Sequence, residues 1–238
     1  MGRAFEVRKA SMMKTGAAKA KLYSKFGKEI YMAAKNGGSN IETNMELKRL
    51  VAQAKKNQVP SDVITRNIEK ASSNAVDNYT AYRYEGFGPG GAQVIVDCLS
   101  DNVNRTVTEV RNCFTKTDGK LGVNGSVIHG FDHVAIVSVK HVQEEDLLEA
   151  MFNQNIDVDD VESEDDVATL YAAPDQLHSV SQVIRESFSE AEIVLEEQTY
   201  LAQNPIELQA DESRLFEKLL DMLEDCEDVQ RVYHNVKA

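Results

Sequence analysis

The sequence predicts an α+β protein: an N-terminal three-helix domain, then a split ferredoxin-like α+β domain with a second ferredoxin-like α+β domain inserted. Three observations predict it. Apolar residues recur at helical spacing up to about residue 75. Beyond that point β-branched runs alternate with helical stretches. Residues 133–203 spell β-α-β-β-α-β, a complete ferredoxin-like unit, between flanks that each spell β-α-β. The expected domains are 1–78, basic and helical; 79–132 with 204–238, the split domain; and 133–203, the insert.

The first helix is expected from about Thr15 to Lys35, closed by Gly37-Gly38. Leu22, Phe26, Ile30 and Ala33 share its apolar face, while Lys14, Lys21, Lys25, Lys28 and Lys35 fall within an arc of roughly 80° well away from it. A second helix spans about Glu42 to Asn57, with Leu47, Leu50, Val51 and Ala54 inward. Pro60-Ser61 opens a third, with Ser61 as its N-cap and Val63, Ile64 and Ile68 inward. Three short amphipathic helices bury their stripes only against one another, so they form a small bundle. The polar stretch Ser72–Asn78 reads as a linker.

The strands expected next are Ala92–Leu99, Ser126–Phe131, His133–Lys140, Ile156–Glu162, Val167–Ala173, Glu192–Leu201, Ile206–Gln209 and Val229–Val236. Helices are expected over Asn104–Thr117, Glu144–Asn153, Asp175–Phe188 and Glu212–Asp225.

The formal net charge is −13, which argues against a protein that simply coats DNA. The average hides a split. Residues 1–75 hold 15 Lys/Arg against 6 Asp/Glu, and the remainder holds 11 against 33. A basic segment in an acidic chain points to a polyanion partner. Cys98, Cys113 and Cys226 are few, odd in number and far apart, which fits a reducing cytoplasm. No apolar run approaches the ~20 residues of a membrane span, and the basic N-terminus lacks the apolar core of a secretory signal.

Gly86, Gly88 and Gly91 formally make G-x-G-x-x-G, but Val94-Ile95-Val96 follows where a dinucleotide site needs a helix. The run Gly86, Gly88, Pro89, Gly90, Gly91 reads instead as a hairpin loop between two strands, whose open backbone N–H groups could contact RNA. Asp101-Asn102-Val103-Asn104-Arg105-Thr106 opens a helix, capped by Asn102 or Asn104, from which Arg105 and Arg111 project as candidate phosphate contacts. Gly119-x-x-Gly122-x-x-Gly125 is followed by an expected strand, unlike the helix that G-x-x-G nucleic-acid modules use. His129 and His133 lack a shared helical face for a metal pair, and the acidic run Asp157–Asp166 lacks calcium-loop spacing. No nucleophile triad, zinc motif or P-loop is present, so no cofactor and no small-molecule substrate is expected.

Three motifs in order resemble the YebC/PmpR family: Tyr84–Gly91; Asp101-Asn102-x-Asn104-Arg105-Thr106-x-x-Glu109-Val110-Arg111; and Gly119-x-Leu121-Gly122-x-x-Gly125-Ser126-Val127. That family takes in bacterial proteins described as probable transcriptional regulators and a mitochondrial translational activator of cytochrome oxidase I. The resemblance implies a helical first domain and two α+β domains, one inserted in the other. Many members begin with a His-Ser-Lys-Trp segment; this chain has Gly2-Arg3-Ala4-Phe5 and no Trp, which marks a divergent branch.

The function expected is a non-enzymatic, cytoplasmic nucleic-acid-binding regulator of gene expression. Its partner would be ribosomal RNA or promoter DNA. The ribosome-associated translation factor is preferred, because there is no defensible helix-turn-helix and the acidic remainder repels a duplex. A DNA-binding transcriptional regulator is the alternative. Readings of another class are a hydrolase built on Asp97, Asp101 and His129, or an acidic protein-interaction scaffold.

Overall fold

The computed structural model describes residues 16–73 and 79–237. Lys14, and 74–78 of the expected linker, lie outside the described residues. The described chain divides into two compact units: one takes the residues up to 128 together with 208–232, the other takes 129–207 together with 233–237.

The first unit opens with three helices, α1 (Gly16–Gly37), α2 (Met45–Lys56) and α3 (Ser61–Ser72). Their core joins Ile30, Ala33 and Ala34 of α1 to Leu47, Leu50, Val51 and Ala54 of α2, and to Val59 and Ile64. One residue makes the α1–α2 corner. Buried Asn44 caps α2 by accepting from Leu47 N at 3.0 Å. Its amide donates to the carbonyls of Ala33 and Gly38, each at 2.8 Å, which satisfies the open end of α1. At α3 the N-cap is Pro60 with no side-chain cap, so Ser61 is the first helical residue rather than the cap.

The same unit holds a four-stranded sheet in the order β3-β1-β2-β8, with β1 (Thr80–Phe87), β2 (Gln93–Ser100), β3 (Lys120–Leu121) and β8 (Val229–His234). Strands β1 and β2 form a hairpin in register from Thr80↔Ser100 to Phe87↔Gln93. The helices α4 (Val103–Thr115) and α7 (Ala210–Asp225) belong to this unit and contribute Val110, Phe114, Phe216, Leu219 and Leu223 to its buried residues. Asn102 caps α4 by accepting from Arg105 N at 3.1 Å, the first of the two expected caps.

Two expected strands are absent. Residues 126–131 form a turn and a short 3-10 helix, Ile128–Gly130, before β4 begins at Phe131. Residues 206–209 contribute one isolated bridge, Ile206↔Val236. The first absence has a cause distant in sequence. The N–H groups of Val127 and Ile128 are taken by a side-chain carboxylate, so no ladder can use them.

The second unit contains β4 (Phe131–Lys140), α5 (Glu144–Asn153), β5 (Asp160–Glu164), β6 (Val167–Ala172), α6 (Leu177–Ser187) and β7 (Glu192–Ala202). Its sheet runs β5-β6-β4-β7, every pair antiparallel, which is ferredoxin-like. Val137, Val139, Leu147, Met151, Leu170, Val180 and Ile184 form its core. The overall class is α+β, as the sequence predicts.

Candidate nucleic-acid interface

The lysines of α1 do not form one solvated face. Among the described residues, buried positions of α1 run from Ala33 round to Lys28, an arc of roughly 220° at ~100° per residue. The helix therefore meets protein on two sides. One side enters the bundle core; the other meets the end of α7 and the start of β8.

Contacts on that second side are ionic. Lys21 pairs with Asp225, and Glu29 lies 3.7 Å from the Arg231 guanidinium. Lys28 is 7% exposed, and its ammonium donates to Asp228 Oδ1 at 3.0 Å and to the Glu227 carbonyl at 3.1 Å. It also lies 5.5 Å over the Tyr79 ring. Lys25 is half-buried, and burial lowers its pKa against the pull of Glu224 and Glu29. Lys35 is exposed, its ammonium 5.5 Å over the Tyr31 ring. The expected phosphate face is thus corrected in part: Lys28 is an internal ion-pair partner, Lys21 and Lys25 border the same acidic strip, and Lys35 is exposed beside Tyr31.

Asp228 organises this contact. Its carboxylate is 1% exposed and accepts from five donors. Lys28 takes Oδ1. Ser100 Oγ at 2.9 Å, Thr106 Oγ1 at 2.8 Å, and Arg105 Nη2 at 2.8 Å with Nε at 3.3 Å share Oδ2. Burial alone would raise its pKa, but the Arg105, Lys28, Thr106 and Ser100 hydrogen bonds overcome that and hold it at about 2. Arg105 also donates to Asp101 at 2.8 Å. The Asp101–Thr106 motif is therefore explained first by structure: it caps α4 and ties that helix to Asp228. Arg111, on the same helix, is exposed.

The glycine loop is mostly interior. Gly86, Gly88 and Pro89 are buried. A Cβ at Gly86 would lie 2.6 Å from Phe114 Cε1 and 2.9 Å from the Lys120 carbonyl; one at Gly88 would lie 3.1 Å from Leu219 Cδ2. Only Gly90 and Gly91 are exposed, both in the left-handed region at φ +65° and +79°. A contact role thus narrows to these two.

Glu85, 2% exposed, holds the second glycine loop. Its carboxylate accepts from Gly125 N at 2.7 Å, Val127 N at 2.7 Å and Ile128 N at 2.9 Å. Burial opposes ionisation, yet these backbone donors, with Arg83 nearby, lower its pKa. Of the groups weighed for hydrolysis, Asp97 is gripped by Arg83 at 2.6 and 2.9 Å and Asp101 by Arg105, so both carboxylates are already engaged in ion pairs.

Among the described residues, one cationic surface left outward lies on α2. Lys48, Lys55 and Lys56 are exposed and Arg49 is half-buried, all within roughly 120° and opposite the Leu47, Leu50, Val51, Ala54 stripe. Glu46, the acid of this helix, projects roughly 160° from Lys48. Lys48 pairs with Glu42 at 2.9 Å, both ends exposed. The same angular arithmetic applied to α2 would have found this face from sequence. Nothing local marks Asp228 or Glu85, because their partners come from distant segments.

Two family descriptions match the chain: the TACO1/YebC protein N-terminal domain over residues 3–74, and the TACO1/YebC second and third domain over residues 79–236. A probable transcriptional regulatory protein of Alteromonas mediterranea is 51% identical over 235 residues, covering 99% of this chain and 98% of that protein. One from Vibrio parahaemolyticus is 49% identical over 237 residues, covering all of both chains. Among solved structures, a conserved hypothetical protein from Aquifex aeolicus superimposes with a TM-score of 0.80 at 33% identity, covering 94% of this chain and 92% of that one.

Proposed function

Because the chain belongs to the TACO1/YebC family, we propose that it is a non-enzymatic, nucleic-acid-binding regulator of gene expression that works in the cytoplasm on ribosomal RNA. The observation that carries this reading is the outward cationic face of α2, with Lys48, Arg49, Lys55 and Lys56 on a helix whose one acid, Glu46, lies roughly 60° beyond the edge of that face. Lys35, Arg111 and the exposed backbone of Gly90 and Gly91 are proposed as further contacts, with Lys14 retained from sequence. Surface cations of this kind neutralise phosphates and release counterions, which supplies affinity without base reading.

The choice of RNA rests on charge. Residues 131–203 hold 18 Asp/Glu and two Lys/Arg. Such a region is repelled by a uniform duplex, whereas a short basic face can still enter a folded RNA surface. Promoter DNA is the second reading, favoured by the name the relatives carry.

The test is a salt titration of binding to a structured ribosomal RNA fragment and to a DNA duplex. Replacing Lys48, Lys55 and Lys56 with Gln should flatten log affinity against log salt by about 2 to 3. Tighter retention of RNA than of duplex at raised salt supports the ribosomal reading; the reverse order supports the promoter reading. An unchanged slope in the folded triple variant removes the α2 face as the site.

A further inference from the structure

Cys113 and Cys226 form a dithiol contact that neither the fold nor the phosphate face uses. Cys113 lies in the last turn of α4; Cys226 is the C-cap residue of α7. Their sulfurs are 3.6 Å apart although 113 positions separate them in the chain. Both line an open cleft of about 530 Å³ with Arg105, Glu109, Asn112 and Met222; Cys226 is partly exposed and Cys113 3% exposed, so a small solute meets the pair first at Cys226.

We propose that this pair is a peroxide-oxidisable modification site, which takes a hydroperoxide as its substrate and closes to an intramolecular disulfide. Geometry makes closure short-range. The sulfurs must approach by about 1.5 Å to reach bonding distance near 2.05 Å, a movement on the scale of side-chain rotation. The roles differ. The neighbouring Cys226 thiol lowers the Cys113 pKa by hydrogen bonding to its thiolate, against burial and Glu109, which raise it, and Lys116 adds to the lowering. Cys226 is pushed well above the usual thiol range by the same contact and by burial. We assign Cys113 the nucleophile's role and Cys226 the resolving one, an order that the two serine variants below decide against its reverse.

The steps balance. The Cys113 thiolate attacks one peroxide oxygen; the O–O bond breaks and the alkoxide or hydroxide leaves and takes a proton. Cys113 is now a sulfenic acid, oxidised by two electrons. Cys226 attacks its sulfur, the S–S bond forms, the S–O bond breaks, and water leaves with the thiol proton. Cys98 supplies an internal contrast. It is as buried as Cys113, at 2% against 3%, but it does not line the cleft, and its pKa is pushed up to about 12, first by burial and then by Asp97 and Asp228. It should not react.

The disulfide would fix α4 to the end of α7, two residues from Asp228, and so lock the junction that α1 docks against.

The experiment exposes the reduced full-length protein to hydrogen peroxide, alkylates it under denaturing conditions and maps the peptides. Alkylatable thiols should fall from three to one, with Cys98 still labelled and a Cys113–Cys226 peptide that dithiothreitol releases. The variant Cys226→Ser should accumulate a dimedone adduct on Cys113. Three alkylatable thiols after peroxide, or a cross-link between chains only, overturns the site. A dimedone adduct on Cys226 in Cys113→Ser, without one on Cys113 in Cys226→Ser, overturns the assigned roles.

Discussion

Replacing Asp228 with Asn removes one negative charge from beneath two cations and leaves the side-chain shape nearly unchanged. Lys28, 7% exposed, then has no carboxylate, and Arg105 keeps only the exposed Asp101. The cost follows from the pKa. The folded carboxyl titrates at about 2 against an ordinary 3.8. That difference corresponds to about 2.5 kcal/mol of stability at neutral pH. Stranding a buried cation argues for the upper side of this figure, since breaking a buried ion pair typically costs about 3 to 5 kcal/mol. A loss of about 3 kcal/mol is therefore expected at pH 7. The sign of the pH dependence is fixed by the direction of the shift. A carboxyl depressed in the folded state stabilises fully above its unfolded pKa and loses that contribution as pH falls through its folded pKa. Roughly half of the pKa-linked part should remain at pH 3, and under a fifth at pH 2. Urea unfolding of wild type and Asp228→Asn, compared between pH 7 and pH 3, measures the gap. A gap below about 0.5 kcal/mol at pH 7, or one that stays constant down to pH 3, would refute the assignment of Asp228 as the charged centre.

Three further outcomes follow from the loops and from α1. Glu85→Gln offers one acceptor oxygen where three N–H groups converge and should cost about 2 to 4 kcal/mol, with faster hydrogen exchange at Val127 and Ile128. Because the Glu85 pKa is lowered, the difference from Gln should shrink as pH falls below the ordinary glutamate range. Gly86→Ala should be far more damaging than Gly91→Ala, since the first places a Cβ 2.6 Å from Phe114 while the second meets open space and bears about 1 kcal/mol of left-handed strain; thermal unfolding ranks them. Lys21→Gln, whose partner Asp225 is exposed, should change stability by less than about 1 kcal/mol, in contrast to Lys28→Gln, which should cost several-fold more in the same urea assay.

The parts of the fold legible in sequence are those set by local periodicity. The apolar stripes of α1 and α2 reappear as the bundle core, and the alternation in 133–203 reappears as the β5-β6-β4-β7 sheet. Ser126-Val127-Ile128 reads as a strand because Val127 and Ile128 are β-branched. Gly125 at φ +84° and the Glu85 carboxylate turn it into a loop instead, a decision made 40 residues away. Ser61 reads as a cap by residue type, yet the chain enters α3 one residue earlier, at Pro60. The glycine loop was legible as a turn between strands. Its burial was not, because the reason for Gly86 and Gly88 lies in Phe114 and Leu219.

The lysine arc of α1 shows why a charged stripe is weak ground for a site unless its partners are known. Helical spacing gives the direction of a cation but not whether the chain itself supplies an anion there. A chain with 33 acids beyond residue 75 is well placed to do so. Distance does not separate the two outcomes either: Lys28–Asp228 measures 3.0 Å and Lys48–Glu42 measures 2.9 Å. Burial separates them. The side chains of the first pair are 8% and 1% exposed, so turning Lys28 to a phosphate would take one of two cations from a carboxylate held out of water, leaving it Arg105, Thr106 and Ser100. The second is 51% and 77% exposed, already solvated and screened, and worth at most about 1 kcal/mol. Lys48 can exchange Glu42 for a phosphate at little cost, and Lys28 cannot exchange Asp228. On this ground the phosphate-contacting role is proposed for α2, and α1 is the helix that holds α2's bundle against the acidic junction of α7 and β8.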